Sequence, residues 1–256
     1  MQNGYVLFII AISLAFLSYS NLEDEKDGSG FAPKDFGGFY VGANLFPGAT
    51  DLHEINYIEK NTGRRADLVS FHQSWADTST CFSESLLDLM KQKGSIPFIY
   101  WNTPSLRDQA FKELFSEIVS GKYDLYLKKC AILLRKYKEP VLLSFSPGAD
   151  TMRNQNAQEF TKAWQYVYSF FNGLGISNIT WVWCPASTNC KAYYPGEKFV
   201  DWIGVSCLNY GDNKRDNDWF SFKQLYKPFR DKLGPFQKPM IITEFGSANN
   251  EDAAAW

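Results

Sequence analysis

Seven short runs of apolar, β-branched and aromatic residues recur along this chain, and segments with helical spacing separate most of them. The runs fall at about 37–44, 66–71, 96–101, 140–145, 178–184, 200–205 and 239–243. Between them, 83–93 carries Leu86, Leu87, Leu89 and Met90 at helical spacing. A later helix over 157–174 turns Phe160, Ala163, Trp164, Val167, Phe170 and Phe171 to one side. Consecutive strands joined through helices pair in parallel, with right-handed crossovers. The expected class is therefore α/β. Polar and aromatic residues gather after the strands rather than before them, as in a (β/α)8 TIM-type barrel with its chemistry at one face. A doubly wound open sheet fits the same periodicity. No glycine-rich phosphate motif follows the first strand, which argues against a nucleotide site.

Composition narrows the class of partner. Hydrophobic residues make up 45% of the 256 residues and charged residues 21%, the balance of a globular domain with a substantial core. Net charge is −2 and the basic residues are scattered, so no nucleic-acid partner is expected. The aromatic share of 17% suits either a platform for sugar rings or an aromatic core. Residues 5–19 are almost unbroken apolar sequence, short for a membrane span and of the length of a signal peptide. No Lys or Arg precedes them. The expected organisation is a signal peptide or membrane anchor at 1–20, a linker at 21–36 and one domain over 37–256. The protein is then exported: secreted, periplasmic or held on the outer side of a membrane.

Five cysteines match no zinc spacing, and there are two histidines, so neither metal nor cofactor is expected. Cys184 and Cys190 are close enough in sequence to bridge a loop in an oxidising compartment. Cys130 and Cys207 sit in apolar runs and read as buried thiols.

One carboxylate stands out. Glu244 follows the apolar run 239–243, where turn residues begin. An unpaired buried carboxylate is costly, so Glu244 is either an acid presented for chemistry or one paired with an Arg or a helix start. Trp75, Trp101, Trp183 and Trp219 lie near strand ends or long loops; as sugar platforms Trp101 and Trp183 are favoured, each ending or following a strand. His72, after the second run, is placed either for a sugar hydroxyl or for a structural bond. The acidic run 212–218 is interrupted by Lys214 and Arg215 and reads as a solvated loop rather than a calcium site.

The chain from about Phe39 onward resembles the family 26 glycoside hydrolases, which include β-mannanases. The matching stretches are 121–126 (GKYDLY), 140–143 (PVLL), 181–185 (WVWCP), 194–204 (YPGEKFVDWIG) and 241–246 (IITEFG). Their order and spacing together carry the resemblance. It implies a retaining (β/α)8 barrel, with the acid after strand four and the nucleophile after strand seven. An eighth strand is missing from the pattern. By this resemblance Glu244 is the nucleophile position, and a β-linked polysaccharide or oligosaccharide is the expected partner.

The same resemblance exposes departures. The family pattern after strand four is His-Glu, with an Asn two residues after the Glu; here Pro147, Gly148 and Asp150 stand at those places. Leu208 stands where a Tyr would orient the nucleophile, and Ala186 where an Asn is usual. Asn209 and Tyr210, at the same strand end as Leu208, are candidate sugar contacts. Glycine cannot donate a proton, and losing a general acid typically costs about 10²–10⁴ in rate. The expectation is a carbohydrate-active domain with impaired hydrolysis. One alternative is an active retaining endo-β-glycanase that recruits Asp150 as acid; another is a non-catalytic interaction module tethered to a membrane through residues 5–19.

Overall fold

The computed structural model describes residues 9–11, 40–104, 113–152, 156–209 and 220–247. Seven strands pair in parallel and in sequence order: β2 (Val41–Asn44), β3 (Leu68–Ser74), β4 (Ile96–Asn102), β5 (Val141–Phe145), β6 (Ile179–Trp183), β7 (Trp202–Asn209) and β8 (Met240–Ser247). The sheet curls into a TIM-type barrel, and an eighth parallel strand is absent among the described residues. A three-residue strand, β1 (Ile9–Ala11), pairs antiparallel with β2 and also lies against β8. Those three residues belong to the stretch expected to be a signal peptide or anchor; in the structure they form a strand at the edge of the sheet. No helix among the described residues is long and apolar enough to cross a membrane. The rest of the stretch 1–36 lies outside the described residues.

The connecting helices start where the local chemistry lets them. Helix α1 (His53–Thr62) follows β2 and ends at Gly63. Helix α2 (Glu84–Lys93) is capped by Ser83, whose hydroxyl accepts from Leu86 N, and ends at Gly94 with a φ of 71°. Only glycine adopts that left-handed turn without steric cost. Two helices, α3 (Leu114–Val119) and α4 (Asp124–Tyr137), lie between β4 and β5. Helix α5 (Ala157–Gly173) is capped by Asn156, and α6 (Phe222–Leu233) opens with a reciprocal capping box between Ser221 and Gln224.

Both faces of the sheet are buried. Leu68, Phe98, Tyr100, Leu142, Val182, Cys184, Trp202 and Ile241 fill the barrel interior. A larger core lies between the sheet and the helices, including Val69, Ile99, Trp101, Phe145, Phe160, Trp164, Trp181 and Ile242. Alternate residues of one strand thus belong to different cores, which is the pleat read directly.

Gly204 on β7 shows how tightly the interior is filled. A Cβ there would lie 2.5 Å from both Cys184 Sγ and Thr243 Cγ2, and 3.3 Å from Val182 Cγ1. Those neighbours belong to the flanking strands and have nowhere to go. Gly204→Ala is expected to destabilise the domain by about 1–3 kcal/mol, the usual cost of overpacking, seen as a lower denaturation midpoint with an unchanged m-value.

Candidate active site

At the carboxyl ends of the strands the interior opens into a cleft of about 220 Å³. It is lined by His72, Tyr100, Asn102, Pro147, Gly148, Cys184, Pro185, Ala186, Ser206, Thr243 and Glu244. Parity along each strand explains this membership. His72 follows Leu68 and Ser70 on one face of β3, and Tyr100 and Asn102 follow Phe98 on β4. These three arrive from neighbouring strands in register, with His72 opposite Tyr100.

Glu244 reaches the cleft through an irregularity. On β8, Ile241 faces the barrel interior and Ile242 the outer core. Strict alternation would then put Thr243 inside and Glu244 outside. The pairing with β7 instead shifts: Val205 stands opposite Ile242 but Ser206 opposite Glu244, leaving Thr243 as an extra residue. This β-bulge turns both Thr243 and Glu244 into the cleft, with Phe245 outside against Phe222 at 5.5 Å. The bulged carbonyl is not left bare. The Tyr100 hydroxyl donates to the Thr243 carbonyl oxygen at 3.1 Å from across the interior.

The carboxylate itself is oriented from β7. The Ser206 hydroxyl donates to Glu244 Oε2 at 2.6 Å. This short bond to a charged acceptor is of the strong kind, and it stands one inward position before Leu208, where the family resemblance implies a Tyr. Burial pushes the Tyr100 phenol well above its ordinary range, and the nearby Cys184 and Glu244 add to the shift. Burial likewise raises the Cys184 thiol to about 12, so it is a neutral filler in this wall rather than a nucleophile. His72 Nδ1 lies 2.9 Å from Asn102 Oδ1, and its ring stacks on Tyr100 at 4.8 Å. An amide oxygen can only accept, so Nδ1 carries the hydrogen toward it and Nε2 is left as an acceptor for a ligand hydroxyl.

Pro147, Gly148 and Ala186 form another part of the lining. Gly148 adopts a left-handed φ of 71°, and its N–H donates to the Cys184 carbonyl oxygen at 2.8 Å. Just before it, Ser146 also has positive φ, at 47°. That strained residue is held by its N–H to the Trp101 carbonyl at 2.9 Å and by a hydroxyl contact with Thr103 at 2.6 Å. A Cβ on Gly148 would meet the Ala186 Cβ at 3.4 Å. Two of the positions at which the family resemblance implies other residues, far apart in sequence, are therefore neighbours in one patch of wall. Asp150 does not line the cleft. Its two carboxylate oxygens accept from the Ala186 and Ser187 N–H groups, each at 2.8 Å, so it clamps the loop after β6 to the loop after β5. Among the described residues that line the cleft, Glu244 is the one carboxylate.

Burial removes the tryptophans from the list of platforms. Trp75 and Trp101 are 1% and 0% exposed and lie 4.7 Å apart, packed with Tyr126 and Phe145 in the outer core. Trp183 is 2% exposed, edge-on to Tyr194 at 5.2 Å. A ring without a free face has nothing to stack on a sugar. Each has the outward parity of its strand or sits against that layer; being last in a strand does not decide which face a ring takes. Asn209 is also corrected: it is 1% exposed, and its Nδ2 donates to the Phe220 carbonyl at 2.7 Å, anchoring the approach to α6. Tyr210, Trp219 and the 212–218 run lie outside the described residues. Cys184 and Cys190 are both buried free thiols in different core layers, not a bridge. Tyr100, Ser206, Thr243 and Cys184 were missed as cleft residues. Counting parity inward from Leu68, Phe98 or Trp202 would have found the first two.

Comparison with known proteins agrees with this layout. The model of glycosyl hydrolase family 26 matches residues 86–247. Endoglucanase H of Acetivibrio thermocellus is 24% identical over 258 aligned positions, covering 94% of this chain and 26% of that protein. The chain thus spans about a quarter of the length of that relative. Among solved structures, the family 26 domain of an endo-β-mannanase/endo-β-glucanase from Prevotella bryantii superposes with a TM-score of 0.62 at 15% identity, over 82% of this chain and 76% of that one. A β-mannanase from a symbiotic protist of the termite Reticulitermes speratus, solved with a gluco-manno-oligosaccharide, gives 0.62 at 19% identity, over 79% and 72%. With a match that spans well over half of the chain and a barrel that places Glu244 at the mouth of the seventh parallel strand, the protein belongs to glycosyl hydrolase family 26.

Proposed function

We propose that this domain binds a β-linked polysaccharide of mannan or β-glucan type at the Glu244 cleft and hydrolyses it weakly or not at all. The observation that carries the reading is a single carboxylate among the described residues of a cleft whose lining includes Gly148 and Ala186. Retaining glycosidases need two carboxyl groups about 5–5.5 Å apart, one to attack and one to protonate the leaving oxygen. Glu244, held by Ser206, suits the first role. Gly148 cannot serve in the second, and the carboxylate of Asp150 is engaged by two backbone N–H groups. The cleft retains what recognition needs: the free Nε2 side of His72, the Asn102 amide and a half-buried acid.

Calorimetric titration with manno- and cello-oligosaccharides, beside turnover assays on mannan, mixed-linkage glucan and xylan, tests both halves. Saturable binding with turnover at background is expected. His72→Ala should weaken binding about tenfold, the loss of one ligand hydrogen bond of about 1.4 kcal/mol. Robust hydrolysis that disappears in Glu244→Ala would overturn the impaired-catalysis half; absence of any saturable binding would overturn the whole.

A further inference from the structure

We propose that Phe46 is a stacking platform for a sugar ring at the rim of the Glu244 cleft, and that it sets a preference for longer β-linked chains. The inference rests on the carbohydrate-binding reading above. Three aromatic rings are exposed among the described residues: Phe46, Tyr57 and Phe220. Tyr57 lies on α1 and Phe220 leads into α6. Of the three, only Phe46 continues a barrel strand beyond its carboxyl end, where the cleft opens. The pleat places it there. Ala43 and Leu45 belong to the outer core, so Asn44 and Phe46 take the inward parity of β2 and its continuation. Asn44 stands opposite Ser70, whose hydroxyl donates to Asn44 Oδ1 at 2.8 Å. The Leu45 N–H extends the pairing to the Ser70 carbonyl oxygen at 2.8 Å. One inward step beyond Ser70 is His72, and one inward step beyond Asn44 is Phe46. Neighbouring strands lie about 4.8 Å apart, so Phe46 stands beside His72, a residue of the cleft lining.

The ring is 47% exposed, yet its backbone is fixed. Pro47 and Gly48, the latter at a φ of 84°, make a tight turn closed by the Ala49 N–H on the Phe46 carbonyl oxygen at 3.1 Å. The Phe46 N–H donates to Glu54 Oε2, in the first turn of α1, at 3.1 Å. Leu45, 1% exposed, anchors the position before it. A ring presented on a fixed backbone gives up little freedom when a ligand covers it. One face of a pyranose carries mostly C–H groups and lies flat on a phenyl ring. The neighbouring sugar of the same chain then meets His72 Nε2 and the Asn102 amide. This exposed ring has the free face that the buried Trp75, Trp101 and Trp183 lack.

The test is calorimetric titration of the parent chain, Phe46→Ala, Phe46→Trp and His72→Ala with manno- and cello-oligosaccharides from disaccharide to hexasaccharide. Phe46→Ala should weaken the longest oligosaccharides about tenfold, the loss expected when one ring face is no longer covered, and the loss should shrink as the chain shortens. His72→Ala should weaken every length alike. Phe46→Trp, which restores a broad ring, should bind at least as tightly as the parent. The melting temperature of Phe46→Ala should stay within roughly 2 °C of the parent, as for a surface substitution. Parent-like affinity of Phe46→Ala at every length would overturn the platform and leave the cleft reading standing. An equal loss at all lengths with a lowered melting temperature would make Phe46 a structural residue and overturn it too. If the parent chain binds no oligosaccharide, the cleft reading itself fails and this inference falls with it.

Discussion

Gly148→Glu is expected to raise hydrolysis of the bound polysaccharide by about 10²-fold or more over the parent chain, the usual contribution of a general acid. The site has room for the new side chain at its root, because a Cβ on Gly148 meets only Ala186 Cβ at 3.4 Å and Thr151 Oγ1 at 3.9 Å. The backbone is less accommodating. At a φ of 71° a residue with a Cβ costs about 1–2 kcal/mol, so the melting temperature should drop by roughly 2–8 °C. Gly148→Ala separates the two effects, since it carries the same strain without an acid. The gain should also vanish when Glu244→Ala is added, because the new acid has no use without a nucleophile. If Gly148→Glu folds, binds sugar and still turns over no faster than Gly148→Ala, then a missing proton donor is not what limits this site.

Trp101→Ala should produce the largest loss of stability, about 3–5 kcal/mol for emptying a large aromatic site in a packed core. That corresponds to a fall in melting temperature on the order of 10 °C. Trp101 has no exposed surface and touches Trp75, Phe82 and Phe171 at ring separations of 4.7, 5.0 and 6.0 Å. Its removal also takes the indole donor away from Tyr126. A platform tryptophan would behave in the opposite way, weakening sugar binding while leaving stability nearly unchanged. Thermal denaturation of the variant beside an oligosaccharide titration distinguishes the two. An unaltered melting temperature with lost binding would return Trp101 to the sugar site and refute its place in the core.

Much of the framework was legible because it rests on local chemistry. Ser83, Asn156 and Ser221 mark helix starts by supplying an acceptor to exposed backbone N–H groups. The stripe of Phe160, Ala163, Trp164, Val167 and Phe171 on α5 is buried as its spacing requires, with Phe170 at the margin of that face. The seven strands lie in chain order, since alternating helices leave few other ways to connect them. Strand ends were less secure. The last strand runs through Glu244 to Ser247 rather than ending at 243, because its continuation depends on pairing with β7.

Which way each side chain faces was a different matter. Strands such as Ile96–Asn102 are buried on both sides, so their sequences are continuously apolar and carry no alternation to read. That is why Trp101 looked equivalent to Tyr100, although one belongs to the outer core and the other to the cleft. Sequence alone determined that Glu244 exists at the end of an apolar strand and that no glutamate stands at position 148. Only the tertiary structure decided that Glu244 faces the cleft. A bulge at Thr243, supported by the Tyr100 hydroxyl from across the barrel and by the register of β7, reverses the parity of the strand just before the acid. Those hydrogen bonds join residues remote in sequence, and a local pattern contains no record of them.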